Sequence, residues 1–219
     1  SADHKAGMTA SPPNLAESSA LYPAPQPARG RLAILDGWRA LSILAVIAGH
    51  WFPLDVLLPG ANEAVPAAGM AMFFTLSGFL ITWFLSERPE VIPFLIRRLL
   101  RILPLAWLAV LILFLVHREH PQAVALLFAN LFFYANLPPA QLFVGGEHLW
   151  SLGVEMHFYV GVALLVAVGG RRALHLLPLL ALSVTAARIW DQEVISITTW
   201  HRVDEILAGA IVPLVYLGG

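Results

Sequence analysis

The sequence contains no cysteine and a single lysine, Lys5, and only 12% of its 219 residues are charged. The absence of cysteine excludes disulfide bonds, thiol catalysis and thiolate metal sites within this chain. The sequence also lacks the H-E-x-x-H, P-loop and G-x-G-x-x-G motifs, so nothing in it supports metal-dependent hydrolysis or a nucleotide-binding fold. We therefore expect no metal, no permanently bound cofactor and no nucleic-acid partner.

What the sequence has instead is apolar residues, which make up 58% of it and give a mean hydropathy of +0.74. A soluble domain is about a quarter charged and less than half apolar, so this composition indicates an integral membrane protein. The apolar runs are long, whereas a β-barrel would show alternation over about ten residues. We predict an all-α fold, a polytopic transmembrane helix bundle with about seven spans in the lipid bilayer.

The chain divides into a polar start and an apolar remainder. Residues 1–30 are rich in proline, alanine and serine and predict a disordered cytoplasmic tail. This tail lacks the basic-then-apolar order of a cleaved signal peptide, so the first span is expected to be an uncleaved anchor. Residues 31–219 are predicted to form the membrane domain. Its expected spans are 35–54, 67–86, a third that ends near Val116, 122–137, 148–169, 173–189 and 204–217.

Arginines predict the orientation of the first spans. If spans one and two both cross, the arginines at 29, 31, 88, 97, 98 and 101 lie on one side, which the positive-inside rule makes cytoplasmic. The segment 122–137 is short for a span and leaves two alternatives. A full crossing by a tilted helix puts Arg171 and Arg172 outside, and a re-entrant or interfacial segment puts them inside. The prediction favours the full crossing.

The first span carries ionisable residues along one face. Arg39 and His50 are eleven residues apart, so they project within about 20° of each other and about 16 Å apart along the axis. Asp36 lies one turn before Arg39 and within about 40° of that face. Such groups are costly in a membrane helix unless they face protein or a wet cavity. This face is therefore a candidate wall of an active site.

Histidine is the side chain best suited to exchange a proton near neutral pH, which makes His50 a candidate general base. The alternative is that His50 caps the outer end of the first span. Arg98 and Arg101 are three residues apart and share a helix face. Their planar guanidinium groups suit bidentate contact with phosphates, but arginines at this place are also typical markers of membrane topology.

A further candidate group lies on the predicted helix 148–169. Ser151 and Glu155 are four residues apart and share a face. A glutamate this deep in an apolar helix is expected to be functional or paired. The structural alternative is a bond from Glu155 to Arg39 or to the backbone of a neighbouring helix. Ser151 is not expected to act as a nucleophile, because no nucleophile elbow surrounds it.

Taken together, these stretches resemble the membrane-bound acyltransferase family three, of the sugar O-acyltransferase type. Five blocks in the same order over residues 31–210 carry the resemblance. They are Leu35-Asp36-Gly37-Trp38-Arg39-Ala40 with His50, Phe73-Phe74-Thr75-Leu76-Ser77-Gly78-Phe79-Leu80-Ile81, Arg98-Leu99-Leu100-Arg101-Ile102-Leu103-Pro104, His148-Leu149-Trp150-Ser151-Leu152-Gly153-Val154-Glu155 with Phe158-Tyr159, and Arg202-Val203-Asp204 with Gly209.

The resemblance implies an enzyme of the bacterial inner membrane with a cytoplasmic N-terminus. It would transfer an acyl group, which we expect to be acetyl, from acyl-CoA to a carbohydrate hydroxyl in lipopolysaccharide, peptidoglycan or exopolysaccharide. Family members have about ten spans, so this chain is expected to be the N-terminal part of the domain. Met156-His157 departs from the glutamate-glutamine pair that is more usual in the family, so no role is carried onto His157.

Roles for individual residues follow from the resemblance together with their positions. His50, Glu155 and Asp36 form the expected catalytic set, in which Asp36, Glu155 or a backbone carbonyl would fix the imidazole tautomer. The expected acyl-CoA ligands are Arg39, Arg98 and Arg101, and the expected substrate-binding residues are Trp150 and Ser151. A transporter or flippase that uses the same buried charges without acyl transfer is the alternative function. The oligomeric state is left open.

Overall fold

The computed structural model describes residues 33–193 and 196–217; the predicted tail of residues 1–30 lies outside them. Within these residues the chain forms helices and turns and no β-strand, so the all-α prediction is confirmed. Short 3₁₀ helices cover Leu54–Val56 and Arg171–Leu176. The α-helices are α1 (Ala33–Trp51), α2 (Ala61–Glu87), α3 (Val91–Val116), α4 (Ala123–Leu131), α5 (Leu149–Gly169), α6 (Leu177–Trp190), α7 (Thr199–Arg202) and α8 (Asp204–Leu217).

Two units are distinguished along the chain, residues 1–36 and residues 37–219. Of the first unit, the structure describes residues 33–36, which form the first turn of α1. The second unit contains the remainder of α1 and all later helices. It holds the candidate site apart from Asp36.

Four of the described helical segments are long and apolar enough to cross a membrane: Ala61–Glu87, Val91–Val116, Leu149–Gly169 and Arg171–Trp190. The last of these joins the 3₁₀ helix to α6. The chain is therefore a multi-pass membrane protein, although the predicted count of seven spans is not confirmed. Helices α1 and α8, which were also predicted as spans, are 19 and 14 residues long and fall outside this set.

The predicted full crossing at 122–137 is wrong. Helix α4 has nine residues and a length of about 14 Å, less than half of a hydrocarbon core about 30 Å thick. A guanidinium nitrogen of Arg171 donates a hydrogen bond to the carbonyl of Glu87 (2.9 Å). The Arg171-Arg172 pair therefore lies at the same end of the bundle as the end of α2. This is the arrangement of the re-entrant or interfacial alternative.

Residues 132–148 form no long helix, but part of this segment is buried within the protein. The side chains of Ala135, Asn136 and Phe143 are all at most 4% exposed. The amide nitrogen of Asn136 donates to the carbonyl of Ile197 (3.1 Å) and to the hydroxyl of Thr199 (2.9 Å). Irregular backbone is tolerated at membrane depth where protein groups satisfy it, which explains why an apolar run need not be a span here.

The core lies between α2, α3, α5 and α8. Lipid tails are as apolar as leucine, so membrane helices associate mainly through close packing. The core side chains meet this requirement, because they pack together across these four helices, and the most deeply buried of them are at most 2% exposed. They include Phe74, Ile81, Leu85, Phe94, Val154, Tyr159 and Ile206.

Helices α2 and α8 approach each other most closely at two glycines. A Cβ atom on Gly78 would lie 1.9 Å from the carbonyl oxygen of Ile206, and one on Gly209 would lie 1.9 Å from that of Thr75. On the other side of α2, a Cβ on Gly69 would lie 2.6 Å from the carbonyl oxygen of Ser42 in α1. Gly69 and Gly78 therefore permit the close packing of α2 against α1 and α8.

Replacing Gly78 or Gly209 with alanine is expected to force α2 and α8 apart. Overpacking of this kind costs about 1–3 kcal/mol, which should lower the thermal unfolding midpoint of the detergent-solubilised protein. Gly161→Ala is the matched control, because a Cβ there meets nothing within 4 Å and alanine is the better helix former. If Gly78→Ala unfolds at the same temperature as Gly161→Ala, the close approach does not limit stability.

Candidate active site

Glu155 is the most deeply buried carboxyl group of the candidate site. It lies on α5 and is 4% exposed. The hydroxyl of Ser77, on α2, donates to its Oε1 (2.9 Å), and the hydroxyl of Tyr159 donates to the same oxygen. A buried carboxylate is costly unless hydrogen bonds and opposite charge compensate it. The two hydroxyl groups supply the first part of this compensation.

Arg39 supplies opposite charge to the same carboxylate. Its Nη2 lies 3.8 Å from Oε1 of Glu155, and its guanidinium stacks over the ring of Phe73 at 4.9 Å. The structure therefore contains the Arg39–Glu155 contact that was the structural alternative for Glu155. A buried ion pair is compatible with a functional role, so the contact does not decide between the two interpretations.

Arg98, on α3, lies against the aromatic rings next to Glu155. Its guanidinium lies 5.7 Å from the ring centre of Tyr159 and 5.8 Å from that of Phe94. We refer to Arg39, Ser77, Arg98, Glu155 and Tyr159 as the Glu155 cluster. It combines two guanidinium groups with one carboxylate, so its formal charge is one positive. Weakly hydrated guanidinium groups over aromatic rings are well suited to bind a planar or phosphate anion.

Arg101 does not join this cluster, because its side chain is exposed. It follows Arg98 by three residues and therefore lies about one turn further along α3. Arg97, which was read as a topology marker, stacks over Phe84 at 5.3 Å. Of the three predicted acyl-CoA ligands, the structure brings Arg39 and Arg98 together and leaves Arg101 on the adjacent surface.

His50 lies in the last turn of α1 and is exposed. Its Nδ1 is 2.9 Å from the carbonyl oxygen of Val46. A carbonyl only accepts hydrogen bonds, so Nδ1 carries the proton, and Nε2 of the neutral ring keeps a lone pair. Of the three groups expected to fix the tautomer, the backbone carbonyl is the one that the hydrogen bond shows. The catalytic roles of His50, Glu155 and Asp36 stay predictions.

Glu155 contacts the first half of α1, whereas His50 lies in the last turn of that helix. Glu155 contacts Arg39, which precedes His50 by about 16 Å along the helix axis. A direct contact between the carboxylate and the imidazole is therefore not part of the site. Asp36 lies in the first turn of α1, within the N-terminal unit, and its side chain is exposed.

The predicted substrate-binding residues lie at the start of α5. The ring of Trp150 contacts Phe74 edge-on at 5.8 Å, and the guanidinium of Arg202 lies 5.6 Å above it. The hydroxyl of Ser151 donates to the carbonyl of His148 (2.9 Å), so it closes its own helical turn. Just before the helix, the backbone N–H groups of Glu147 and Gly145 hold the pKa of the Glu147 carboxyl below its usual range.

Three residues of the site were missed by the sequence analysis. Tyr159 follows Glu155 by four residues, so helical spacing alone could have indicated their contact. Ser77 was named only as part of a family block, and no spacing in the sequence links it to Glu155. Arg202 was noted in a family block. Its contact with Glu205 (3.3 Å) joins residues three apart, but its position over Trp150 depends on tertiary packing.

The described residues hold no group of three or more histidine, aspartate, glutamate or cysteine side chains arranged to bind a metal. What they offer is a histidine with a lone pair at the exposed end of α1 and a positively charged cluster deeper in the bundle. The first can accept a proton, and the second can bind an anion. Acyl transfer from a phosphate-bearing donor requires both functions.

Comparison with known proteins identifies the family of the chain. A family model described as "Acyltransferase domain" matches residues 32–215. Over 112 residues, 46% of this chain and 34% of the relative, the chain is 35% identical to the exopolysaccharide production protein ExoZ of Rhizobium meliloti (strain 1021). Over 160 residues, 62% of this chain and 24% of the relative, it is 31% identical to the putative peptidoglycan O-acetyltransferase YrhL of Bacillus subtilis (strain 168).

These alignments cover about a third and about a quarter of the two curated relatives, and no solved structure matches the chain. The family match, in contrast, covers nearly all of the residues that the structure describes. It includes the helices that carry His50 and the Glu155 cluster. The chain therefore belongs to the membrane-bound acyltransferase family three.

Proposed function

We propose that this chain belongs to an integral membrane O-acyltransferase of the bacterial inner membrane, with its N-terminus in the cytoplasm. The enzyme transfers an acetyl group from acetyl-CoA to a hydroxyl of a cell-surface or secreted carbohydrate. Family membership supports acyl transfer. The names of the two relatives, one concerned with exopolysaccharide production and one with peptidoglycan O-acetylation, support a carbohydrate acceptor.

The observation that carries the proposal is the charge of the Glu155 cluster. Arg39 lies 3.8 Å from the single carboxylate of Glu155, and Arg98 lies over the ring of Tyr159, whose hydroxyl donates to that carboxylate. An excess positive charge at such a place is costly until an anion matches it. The phosphates of coenzyme A provide such an anion, and guanidinium groups bind phosphate in bidentate geometry.

In the proposed reaction, Nε2 of His50 removes the proton from the acceptor hydroxyl while its oxygen attacks the thioester carbonyl of acetyl-CoA. The new C–O bond forms, the C–S bond breaks, and the imidazolium returns the proton to the leaving thiolate of coenzyme A. General-base assistance of this kind contributes about 10²–10⁴ in rate. The hydrogen bond from Nδ1 to the carbonyl of Val46 supports this role, because it orients Nε2 as the basic atom.

The donor is placed along α1. Arg39, Arg98 and Arg101 hold the phosphates of coenzyme A near the cytoplasmic side, and the pantetheine arm extends towards His50. The separation of Arg39 and His50, about 16 Å along the axis, is comparable to the length of that arm. Asp36 extends the same face of α1 by one turn. Trp150 and Ser151 belong to the proposed substrate-binding surface.

Mass spectrometry of surface glycans from cells with and without the gene tests the proposal. Acyl transfer predicts that glycans from cells carrying the gene gain the mass of acetyl groups, and that isotopically labelled acetyl-CoA delivers the label to them in isolated membranes. The transporter alternative predicts glycan movement without consumption of acetyl-CoA. Unchanged glycan masses together with no label transfer would refute the enzymatic function.

Replacing Arg98 and Arg101 with alanine is expected to weaken donor binding first. A hydrogen bond to a charged group contributes about 1.5–3 kcal/mol, so KM for acetyl-CoA should rise about 10- to 100-fold, with a smaller change in kcat. Steady-state kinetics at varied acetyl-CoA concentration measures this. Arg97→Ala is the control on the same helix, since its guanidinium stacks over Phe84. Equal effects of all three substitutions on KM would mean that the arginines act only through general surface charge.

A further inference from the structure

The side chain of Asn62, on α2, hydrogen-bonds to the last turn of α1, which carries His50. The amide nitrogen of Asn62 donates hydrogen bonds to the carbonyl oxygens of Gly49 (2.7 Å) and Phe52 (2.8 Å). Its amide oxygen accepts the backbone N–H of Asp55 (2.9 Å). In return, the backbone N–H of Asn62 donates to a carboxylate oxygen of Asp55 (2.9 Å). Both amide N–H groups and the amide oxygen of Asn62 are thus engaged.

The two carbonyls that Asn62 binds bracket His50 in the sequence. The last four carbonyls of a helix have no partner within the helix and need donors from elsewhere. Gly49 is one of these residues, since α1 ends at Trp51. A Cβ on Gly49 would lie 2.3 Å from Cδ of Pro66, so the backbone of α1 rests directly on α2 beside the hydrogen bonds. The turn is held by both a polar and a steric contact.

The His50 side chain is itself held only loosely. It is exposed, and its hydrogen bond goes to Val46 within its own helix. The position of Nε2 therefore follows the position of the α1 backbone at this turn. A general base must reach its proton within about 2.6–3.2 Å, and a misplacement of about 1 Å can cost about 10²-fold in rate.

We propose that Asn62 is a positioning residue for His50, because its amide fixes the last turn of α1 against α2 and with it the height and direction of the imidazole. This inference rests on the proposed function of His50 as general base. Asn62 itself touches neither the donor nor the acceptor. Its loss leaves Arg39 and Arg98 in place, so it affects the chemical step and leaves donor binding unchanged.

The test uses the full-length protein in membranes, with acetyl-CoA and the acceptor glycan, and compares three substitutions. Asn62→Ala removes all contacts of the amide. Asn62→Asp keeps the size and an acceptor oxygen but loses both N–H donors to Gly49 and Phe52. Asp55→Ala breaks the hydrogen bond that closes the loop but leaves the amide of Asn62 able to hold α1. Asp55→Ala is the matched control, because it disturbs the loop without removing the hydrogen bonds from Asn62 to α1.

We expect Asn62→Ala and Asn62→Asp to lower kcat by about 10²-fold, with KM for acetyl-CoA unchanged and the amount of protein in the membrane retained. We expect Asp55→Ala to keep a kcat close to that of the unaltered protein. The proposal is overturned if either Asn62 variant keeps full kcat, if KM rises in place of the fall in kcat, or if Asp55→Ala loses as much as they do. Should Asn62→Ala fail to fold, the isosteric Asn62→Asp still decides the question.

The same assay separates this proposal from the function on which it depends. His50→Ala serves as the reference for loss of the base. If His50→Ala is inactive and the Asn62 variants are fully active, only the positioning role fails. If His50→Ala is fully active, the general-base function itself fails, whatever the Asn62 variants do.

Discussion

Replacing His50 with alanine should lower kcat for acetyl transfer by about 10²–10⁴-fold, while the protein still inserts into the membrane. The rate falls because the acceptor hydroxyl loses the group that removes its proton. Insertion is retained because the His50 side chain is exposed and its hydrogen bond lies within its own helix. Transfer from labelled acetyl-CoA in isolated membranes, normalised to the amount of protein, measures the effect.

His117 offers a matched control for this experiment. It follows the last residue of α3, and its Nδ1 lies 2.9 Å from the carbonyl oxygen of Leu113, four residues earlier. This is the same local geometry as at His50, at the end of a different helix. His117→Ala should therefore retain activity. Undiminished product formation by His50→Ala would refute the assignment of the base, and equal loss in both variants would indicate general damage to helix ends.

The second large effect is expected at Glu155. Alanine at this position leaves the guanidinium of Arg39 without the carboxylate 3.8 Å away, and it leaves the hydroxyls of Ser77 and Tyr159 without their acceptor. Removing one partner of a buried ion pair costs about 3–5 kcal/mol. We therefore expect Glu155→Ala to reduce the amount of folded protein and to lower the thermal unfolding midpoint in detergent.

Two further variants separate the charge of Glu155 from its hydrogen bonds. Glu155→Gln keeps the size and one acceptor oxygen, so it should be less damaging than Glu155→Ala. Adding Arg39→Gln to it removes the unmatched positive charge and should restore part of the lost stability, as a double-mutant cycle can show. Acetyl transfer should not recover, because Arg39 is a proposed donor ligand. If the second substitution lowers stability further, the ion pair does not hold the cluster together.

Most helix boundaries could be predicted from the sequence, because they depend on local features. Apolar runs ended by arginine, proline or glycine placed the predicted spans 148–169 and 204–217 within one residue of α5 and α8. The predicted span 67–86 lies within α2, which begins six residues earlier. The wrong prediction of a full crossing at 122–137 also came from reading a local apolar run. An apolar run indicates burial, but it does not distinguish burial in lipid from burial among other helices.

The sequence indicated most individual residues of the candidate site, but fewer of the contacts between them. That Arg39 and His50 line one site stays a prediction from helical spacing, and the contact of Arg39 with Glu155 was among the alternatives considered. The role of Ser77 in holding Glu155 was not predicted, and neither was that of Asn62 in holding the last turn of α1. Both contacts join different helices, and periodicity within one helix carries no information about them.

The sequence by itself determined that this protein is a helical membrane protein of an acyltransferase family, and that one face of its first helix carries an arginine and a histidine. Composition and spacing suffice for the membrane helices and the shared face, because hydropathy and helical geometry are local properties. The family followed from the resemblance of the five ordered blocks. Only the tertiary structure decided that Arg39 contacts the Glu155 carboxylate, that Arg98 lies over the ring of Tyr159, and that Asn62 of α2 holds the turn of His50. These contacts depend on how closely the helices approach one another. Glycines such as Gly69 and Gly78 permit a close approach, but they do not specify which helices pair.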